Sequence, residues 1–459
     1  MQITVSLTFD CETSQNLDEV ETLILDAGRQ AMRKALQMAV RAVEESARKC
    51  RSCGGETLVE GSESRVVLAT FGRVPLRLRR LACLGCGVRF RPAETFLSCL
   101  AGANVSGKLK EAAVLAGISW PYKTAARVLG ALSGAEISPE TVRQVTNETG
   151  HVEVGRQLAE AKRVVEPSLE EAKAAEEREV EARLATKGAP TGPRLLMVGL
   201  DGGWIPSRDQ PGGMEGKVAV VATDPLPIGK RVEGEVGRHR LSTRRYVASF
   251  EGSKEIGMLA YAAASALGAE RASQQVVLGD GAEWIKTETK EHFPEALTIL
   301  DWAHVARSVH KAIRSARPGK AFRAVRASLH QSVADLLWHG RVDEALGSLR
   351  ALRPQPPPEA GKEEADKEVE PVKALEEAIE YLESQRAWIG NYQALRDQGY
   401  PVGSGMGERE VELVINRRLK RQGMRWRRKN AGAVAALRTS TINADWDDPT
   451  NQPYQAQAA

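Results

Sequence analysis

The sequence has few cysteines and no long apolar run, and each absence excludes a class of protein. Six cysteines in 459 residues are too few for a secreted domain built on disulfides. No segment approaches the ~20 consecutive apolar residues that cross a bilayer, so we expect no membrane partner. The first ten residues lack the basic region and apolar core of a secretory signal. We therefore expect a cytoplasmic protein.

Length and charge distribution indicate several domains. At ~150 residues per domain, the chain is expected to form about three. The net charge is only +4, but acid-rich stretches lie near 168–182 and 358–383, and a strongly basic stretch runs from Arg409 to Lys429. The distribution of charge is therefore more informative than its total.

Eight segments are predicted along the chain, which we interpret as a multidomain α/β protein. Residues 1–48 open with the alternation of a strand and continue from Asn16 with helical spacing. Residues 49–92 are rich in β-forming residues. The others are short helices at 104–150, a charged helical linker at 151–190, a core at 194–316, a helical insertion at 317–397, a last part of the core at 398–440 and a flexible polar tail at 441–459.

Five apolar runs predict the strands of the core. They lie at 195–200, 218–222, 246–250, 276–278 and 297–300, with a helical stretch at 253–267. This alternation of strands and helices predicts a mixed α/β fold. The Gly- and Pro-rich segment 188–193 precedes the first run, and we place the main domain boundary there.

Four of the cysteines form two CxxC pairs, Cys50–Cys53 and Cys83–Cys86, with 29 residues between the pairs. Each CxxC turn can point two thiolates at one ion, so the pairs predict a structural four-cysteine zinc site. The β-rich spacer between them indicates a zinc ribbon, and its arginines suit contact with DNA phosphates or with a protein partner. The alternative is two unrelated pairs of buried thiols.

A helical segment follows the predicted ribbon. Residues 122–129, a turn at Gly134 and residues 137–145 resemble a helix-turn-helix, with Ser138 as N-cap and Pro139 at the first helical position. The second helix would enter a major groove with the polar residues Glu140, Thr141, Arg143 and Gln144. A helical hairpin with a purely structural role is the alternative.

Two aspartates follow apolar runs and precede glycine. Asp201 ends the run from Leu195, and Asp280 ends the run from Val276. An aspartate at a strand end is exposed on one side and held rigidly, and two on neighbouring strands can share hard divalent cations. Glycine after each one lets a bulky polyanion approach. An ordinary Asp-Gly turn is the alternative for each taken alone.

These residues and three further motifs resemble the ISKra-type insertion-sequence transposases over most of 50–430. The motifs are Leu200-Asp-Gly-Gly-Trp204, Leu278-Gly-Asp-Gly-Ala-Glu-Trp-Ile285, Leu300-Asp-Trp-Ala-His304, Gly403-Ser-Gly-Met-Gly-Glu408 and Arg417-Arg-Leu-Lys-Arg-Gln-Gly-Met-Arg-Trp426. The resemblance implies an RNase H-like core with a helical insertion before the last acid. It also implies metal-dependent DNA strand cleavage followed by strand transfer.

The resemblance assigns the three catalytic acids of this DDE enzyme to Asp201, Asp280 and Glu408. Together they would hold two magnesium ions, for which manganese can substitute. Glu410 and Glu412 remain alternatives for the third ligand, because they stand where smaller residues are expected. The position after Gly-Ser-Gly favours Glu408.

Asp301 and His304 are predicted as auxiliary residues of the same site. Their spacing of three places both on one helical face, where they would orient a ligand or a phosphate near the metals. The alternative is a helix cap and a half-buried histidine.

The basic C-terminal segment is predicted to contact DNA near the third acid, where it would neutralise phosphates. Trp426 within it would stack on an unpaired base. A solvated charged face is the alternative. The predicted DNA contacts in this segment are Arg417, Arg418, Lys420, Arg421, Arg425, Arg427 and Arg428.

The expected partners are transposon ends and target DNA, which implies a nucleoid-associated protein. Because two DNA ends must be held together, a homodimer or higher oligomer is expected. Two rival functions remain. One is an RNase H-like nuclease without strand transfer, and the other is an inactive, domesticated transposase that acts as a DNA-binding regulator.

Overall fold

A computed structural model of the chain describes residues 2–12, 15–47, 49–100, 104–168, 170–173, 177, 192–228, 237–353, 369–403 and 407–445. The chain divides into two compact units, Met1–Glu153 with Asp445–Ala459, and Val154–Ala444. The finer boundaries proposed above remain predictions. No helix in the described ranges combines the length and apolar character needed to cross a membrane.

The first unit opens with a long helix, α1 (Leu17–Ser46). Asn16 accepts a hydrogen bond from the Glu19 backbone N–H, and the Glu19 carboxylate accepts one from the Asn16 N–H. This reciprocal capping box fixes the start of the helix where the sequence predicted it. The prediction of a strand before α1 is wrong, because residues 2–12 form no regular element.

A three-stranded antiparallel sheet follows, with strands β1 (Thr57–Ala69), β2 (Gly72–Cys83) and β3 (Arg89–Phe90). Alternate residues of β2 are buried and pack against Val40 of α1. Arg73, Arg77 and Arg79 between them face solvent, as the period of two requires. The adjacent Arg80 is exposed as well, opposite a register shift between Val59 and Gly61 of β1 that interrupts the alternation.

Three helices complete the described part of the first unit: α2 (Gly107–Ser119), α3 (Tyr122–Ser133) and α4 (Pro139–Val165). Gly134 ends α3 with a left-handed φ of 78°, a conformation that favours glycine. Ser138 Oγ accepts the Thr141 N–H at 3.0 Å and caps α4. The two predicted helices are confirmed, and α4 continues into the second unit. Of the predicted linker, residues 169, 174–176 and 178–190 lie outside the described residues.

A five-stranded mixed sheet forms the core of the second unit. Its strands are β4 (Leu195–Ile205), β5 (Met214–Thr223), β8 (Thr243–Ser249), β9 (Gln274–Gly279) and β10 (Leu297–Leu300). They lie in the order β10-β9-β4-β5-β8. The strands β4, β5 and β8 form an antiparallel meander, whereas β9 and β10 run parallel to β4. All five predicted strands are confirmed. A small separate hairpin pairs β6 (Leu226–Ile228) with β7 (Arg238–Arg240).

Helices α5 (Ser253–Ala266), α6 (Glu283–His292) and α7 (Trp302–Ala316) accompany the sheet. The predicted helix at 253–267 is α5. The helices α6 and α7 each begin a few residues after a parallel strand. The buried residues Ile256, Ile285 and Val305 on these helices are each 0% exposed, which indicates that all three contribute to the core.

The predicted insertion is helical, with α8 (Arg323–Trp338), α9 (Val342–Ala351), α10 (Val369–Ser384) and α11 (Tyr392–Asp397). Residues 354–368 lie outside the described ranges. Three aromatic rings join the insertion to α7, with the Trp302 centroid 4.9 Å from those of both Trp338 and Tyr392. Edge-on packing of this kind stabilises such contacts.

The chain returns to the sheet through the α12 segment (407–419) and α13 (Arg428–Ile442). The α12 segment consists of Gly407–Val411, a π-helical turn Glu412–Asn416 and a last turn Arg417–Leu419. A Cβ on Gly203 of β4 would lie 2.5 Å from Val411 Cγ1. Glycine at this position therefore allows the helix to approach the strand closely. Residues 404–406 and the tail beyond 445 lie outside the description.

Candidate functional site

Three aspartates lie side by side along the three parallel strands, at the level where β9 and β10 end. We call this end of the sheet the acidic edge. Leu200 pairs with Gly279, and Gly279 pairs with Leu300. The next residue on each strand is an aspartate: Asp201, Asp280 and Asp301. Neighbouring strands lie ~4.8 Å apart, so strand register alone places these positions side by side.

Local hydrogen bonds orient each carboxylate. Oδ1 of Asp201 accepts the Gly202 N–H at 2.7 Å. Oδ1 of Asp280 accepts the Ala282 N–H at 2.9 Å, and Asp301 accepts the Ala303 N–H at 2.8 Å. Asp201 and Asp280 are half-buried, which leaves them accessible to a ligand.

Asp301 differs from its two neighbours because it is buried and caps α7. Its hydrogen bond to the first turn is that of a helix N-cap. His304 lies in that first turn and is half-buried. This is the arrangement expected of a cap and a half-buried histidine, so the auxiliary role of the pair remains a prediction.

The insertion holds the backbone of the acid-bearing loops. The Tyr381 hydroxyl donates to the Asp280 carbonyl at 2.9 Å, from 101 residues away along the chain. Gln385 Nε2 donates to the Gly281 carbonyl at 3.0 Å, and Tyr392 donates to the Leu300 carbonyl at 2.9 Å. These three positioning residues were missed, because no local pattern links them to distant strand ends.

Tyr381 remains protonated at neutral pH. Burial raises its pKa above the ordinary value, and the carboxylates of Asp280 and Asp301 raise it further. Burial also raises the pKa of Tyr392, and Tyr381 and the Asp301 carboxylate raise it further. Both hydroxyls are therefore available as neutral hydrogen-bond donors to the backbone at the acidic edge.

Replacing Tyr381 by Phe is expected to lower the free energy of unfolding by ~1 kcal/mol, the typical contribution of one such hydrogen bond. Tyr400→Phe is the matched control, because Tyr400 is also half-buried and its hydroxyl makes no hydrogen bond to a described residue. Urea unfolding of both variants measures the difference. Equal losses would show that the bond to the Asp280 carbonyl contributes nothing.

The α12 segment brings further acids toward the same strand. Glu408 precedes Val411 by three residues, so the two positions share a helical face, and Val411 packs against Gly203 of β4. The side chain of Glu408 lies outside the description. Glu412 is exposed and lies 4.0 Å from Arg417, so its carboxylate faces solvent.

Glu410 is a buried carboxyl group. It is 3% exposed, and its Oε2 has no hydrogen-bond partner among the described residues. Burial raises its pKa to about 8, with the charge of Asp201 adding to the effect. Glu410 is therefore largely protonated at neutral pH in the absence of a cation.

Glu410 makes stability depend on pH in the direction opposite to that of a salt-bridged acid. The folded chain retains a proton that the unfolded chain releases, so stability falls as pH rises from about 4.5 to about 8. In Glu410→Gln this fall is expected to disappear, with a gain of the order of 3 kcal/mol at pH 8.5 and little change at pH 4.5. Urea unfolding in a chelating buffer, with exposed Glu412→Gln as control, measures it. Parallel pH profiles for parent and variant would contradict the burial of this charge.

The basic C-terminal segment is partly internal. Arg418 is 1% exposed, and its guanidinium lies 4.9 Å from the centre of the Trp426 ring. Trp426 is 7% exposed, and its ring N–H donates to the Leu419 carbonyl at 3.0 Å. The predicted DNA contacts of these two residues require correction, because their side chains contact each other inside the unit.

The backbone explains why Trp426 is buried. Its N–H donates to the Pro206 carbonyl at 3.0 Å, and its carbonyl accepts the Arg208 N–H at 2.7 Å. These bonds attach the segment to the loop after β4. Arg428 is half-buried and donates to the Phe250 carbonyl. The members of the predicted set that remain exposed are Arg417, Lys420, Arg421, Arg425 and Arg427.

Arg143 and Gln144 lie near the start of α4 at the surface. The Arg143 guanidinium donates to the Glu140 carboxylate at 2.8 Å, and Gln144 donates to Glu148 at 2.8 Å. Their polar groups are thus engaged along the helix. DNA contact by either residue would replace these exposed hydrogen bonds.

The four cysteines of the CxxC pairs converge. Cys50 Sγ lies 3.7 Å from Cys86 Sγ, Cys53 Sγ lies 3.4 Å from Cys83 Sγ, and all four sulfurs lie within 4.8 Å of one another. A tetrahedral zinc ion with Zn–S bonds of ~2.3 Å holds its sulfurs ~3.8 Å apart. The cluster could therefore bind a metal such as zinc, which is compatible with a zinc ribbon.

The two CxxC turns have the same backbone hydrogen bonds. Gly54 N–H donates to the Cys50 carbonyl at 2.9 Å, and Gly87 N–H donates to the Cys83 carbonyl at 3.0 Å. Backbone N–H groups, that of Cys86 foremost, lower the pKa of Cys83 to about 6. A thiolate is the form that binds metal, so the turn prepares this ligand at neutral pH.

Among described residues, the cysteines are the only group of three or more metal-binding side chains whose ligand atoms lie this close together. The described carboxylates at the sheet edge are neighbours by register but do not form such a cluster. The Glu408 side chain lies outside the described part of the chain, so this statement does not include it.

The comparisons with known proteins place the chain in a family. No curated protein matches it. A family model with the description "Uncharacterised protein family (UPF0236)" matches residues 96–448, which is more than half of the chain. The match includes the helices α2, α3 and α4, the five-stranded mixed sheet and the α12 segment. The chain therefore belongs to the UPF0236 family.

Proposed function

We propose that the chain is a DNA transposase that cuts DNA and transfers the cut strand at the sheet edge carrying Asp201 and Asp280. The observation that carries the proposal is the register of β4 and β9, because Leu200 pairs with Gly279 immediately before the two aspartates. Two half-buried carboxylates on adjacent parallel strands suit a shared divalent cation.

The proposal includes an RNase H-like fold for the second unit. Such a core has an antiparallel meander of three strands followed by two parallel strands, with acids on the first and fourth. The order β10-β9-β4-β5-β8 and the strand directions agree with that arrangement. Asp201 lies on the first strand of the set, and Asp280 follows the fourth.

Magnesium fits the residues of this edge, because carboxylate oxygen is the ligand that magnesium prefers. The third ligand in the proposal is Glu408. Its position lies on the same helical face as Val411, which packs against Gly203 of β4. Two bound ions, of magnesium or manganese, would activate the attacking hydroxyl and stabilise charge on the phosphate. Buried Glu410 is the alternative third acid.

The chain's own residues position and neutralise the substrate. Tyr381 and Gln385 hold the loop at Asp280 and Gly281 through backbone carbonyls. Glycine at 202 and 281 lets Glu215 and Gln385 pack close to the backbone beside the two aspartates, because a Cβ would lie 2.3 and 2.4 Å from their Oε1 atoms. The exposed arginines after α12 would pair with phosphates of the DNA strand.

The first unit is proposed to bind DNA. A zinc ion held by the four cysteines would fix the β1–β2 hairpin, whose outer face carries Arg73, Arg77 and Arg79. The start of α4 would contact a groove. Because two transposon ends must be joined, we propose that the active form is a homodimer or a higher oligomer.

A strand-transfer assay tests the proposal and separates its rivals. The substrate is labelled DNA from the regions that flank the gene, mixed with unlabelled plasmid and magnesium. A transposase joins the labelled 3′ end to the plasmid, whereas a nuclease only shortens the substrate. DNA binding without magnesium-dependent chemistry would indicate the regulator, and the absence of both would overturn the proposal.

A further inference from the structure

A basic cavity lies away from the acidic edge, between α7, the loop that follows it and α8. Its volume is about 920 Å³, and no acidic residue of the described ranges lines it. This size is near the upper end of ordinary ligand sites, ~300–1,000 Å³. The charged or titratable side chains that line it are His310, Arg314, Lys320, Arg323, Arg326 and His330.

Three of these cations have no acidic partner in the part of the chain that the structure describes. Arg314, Lys320 and Arg323 are exposed and make no ion pair with any residue in the described ranges. The adjacent Lys311 differs, since it pairs with Glu377 at 3.2 Å. Three like charges around one cavity repel each other and raise the local concentration of anions.

The rest of the cavity wall is built by the chain itself. The Arg326 guanidinium donates to the Arg317 carbonyl at 2.7 Å and holds the loop between α7 and α8. The rings of His310 and His330 meet edge to face, 5.7 Å apart. The three cations, which have no acidic partner among the described residues, therefore surround a shaped cavity.

The helix α7 connects this cavity to the acidic edge. The helix starts directly after Asp301, and Arg314 follows 13 positions later. At ~1.5 Å per residue, Arg314 lies ~20 Å along the helix axis from that edge. This distance corresponds to about six base pairs of DNA at ~3.4 Å each. The positions of His304, Arg307 and Arg314 share one helical face.

We propose that the basic cavity binds the phosphodiester backbone of the DNA about six base pairs from the phosphate being cut. The inference rests on the proposed function. The cavity would neutralise two to three phosphates and hold the strand in line with Asp201 and Asp280. It would contribute affinity without base specificity, because phosphates carry no sequence information.

The test compares two triple variants that lose the same charge. One carries Arg314→Gln, Lys320→Gln and Arg323→Gln. The control carries Lys254→Gln, Arg271→Gln and Lys290→Gln, three exposed cations outside the cavity. Fluorescence anisotropy with a labelled duplex, in chelator and at several salt concentrations, gives the affinity and its salt dependence.

The cavity variant is expected to bind at least ~10-fold more weakly at low salt. A plot of log affinity against log salt concentration should be less steep by ~2–3, because each lost phosphate contact lowers the slope by ~0.9. The control should keep the parental slope. The single variant Arg314→Gln should change the slope by ~1. It tests the same contact if the triple variant does not fold.

Two results would overturn the inference without affecting the proposed function. One is an unchanged slope in the cavity variant of a chain that still transfers strands. The other is binding of pyrophosphate to the parent but not to the cavity variant, with equal DNA affinity in both, which would indicate a small-anion site. Failure of the parent to bind DNA at low salt would instead remove the proposed function itself.

Discussion

Replacing Asp201 or Asp280 by Asn should reduce metal-dependent strand cleavage by about 10³-fold or more. Each carboxylate is expected to contribute several kcal/mol of transition-state stabilisation through the cation that it holds, and each ~1.4 kcal/mol corresponds to a factor of ten in rate. Asparagine retains the oxygen that accepts the Gly202 or Ala282 N–H. The fold and the affinity for DNA should therefore remain.

Asp224→Asn is the matched control for these variants. Asp224 lies at the opposite end of the β4–β5 pair, and its carboxylate also accepts a backbone N–H, that of Leu195 at 2.9 Å. The control should cleave at the parental rate. Single-turnover cleavage, with DNA binding measured in parallel, separates loss of chemistry from loss of affinity. Cleavage by Asp201→Asn at the parental rate would show that this aspartate is not part of the catalytic site.

Replacing Cys83 by Ser should reduce the zinc content from about one ion per chain to nearly none, because a structural zinc site uses four protein ligands. Cys83 is buried, and its low pKa of about 6 makes it a prepared ligand. Without the ion, the ends of β1 and β2 lose the link between the two CxxC turns. We expect faster amide exchange throughout the hairpin, since metal binding and folding are coupled in such sites.

Cys99→Ser is the control for the zinc prediction. Cys99 is exposed and lies outside the four-sulfur cluster. Its replacement should leave both zinc content and amide exchange unchanged. A chain that keeps one zinc ion after Cys83→Ser, or a parent purified without zinc that exchanges as slowly as the zinc-loaded protein, would contradict the structural role.

The strands, and the acid that follows β9, were predictable because both depend on local sequence. The predicted strand-end position of Asp201 is wrong, because β4 continues through Asp201 to Ile205 and pairs with β5 over that length. Parallel strands buried on both faces appear as continuous apolar runs, and the runs before Asp201 and Asp280 became β4 and β9. The side-by-side position of the two acids required the strand register, which the sequence did not contain. The paired CxxC motifs were equally local, and their convergence is confirmed.

The remaining features depend on distant parts of the chain. Arg418 and Trp426 belong to a basic run, but their side chains are buried and contact each other, so charge pattern alone gave the wrong exposure. Tyr381 reaches Asp280 from a helix of the insertion, and no spacing rule relates the two. The expected first strand failed because residue alternation without a pairing partner does not form a sheet.

Binding of Mn²⁺, measured by electron paramagnetic resonance, tests most directly whether Asp201 and Asp280 share a divalent cation. The zinc-loaded parent and Asp224→Asn should bind Mn²⁺ equally, whereas Asp201→Asn and Asp280→Asn should each lose the tightest site. Equal Mn²⁺ binding by all four proteins would contradict the metal site at this sheet edge.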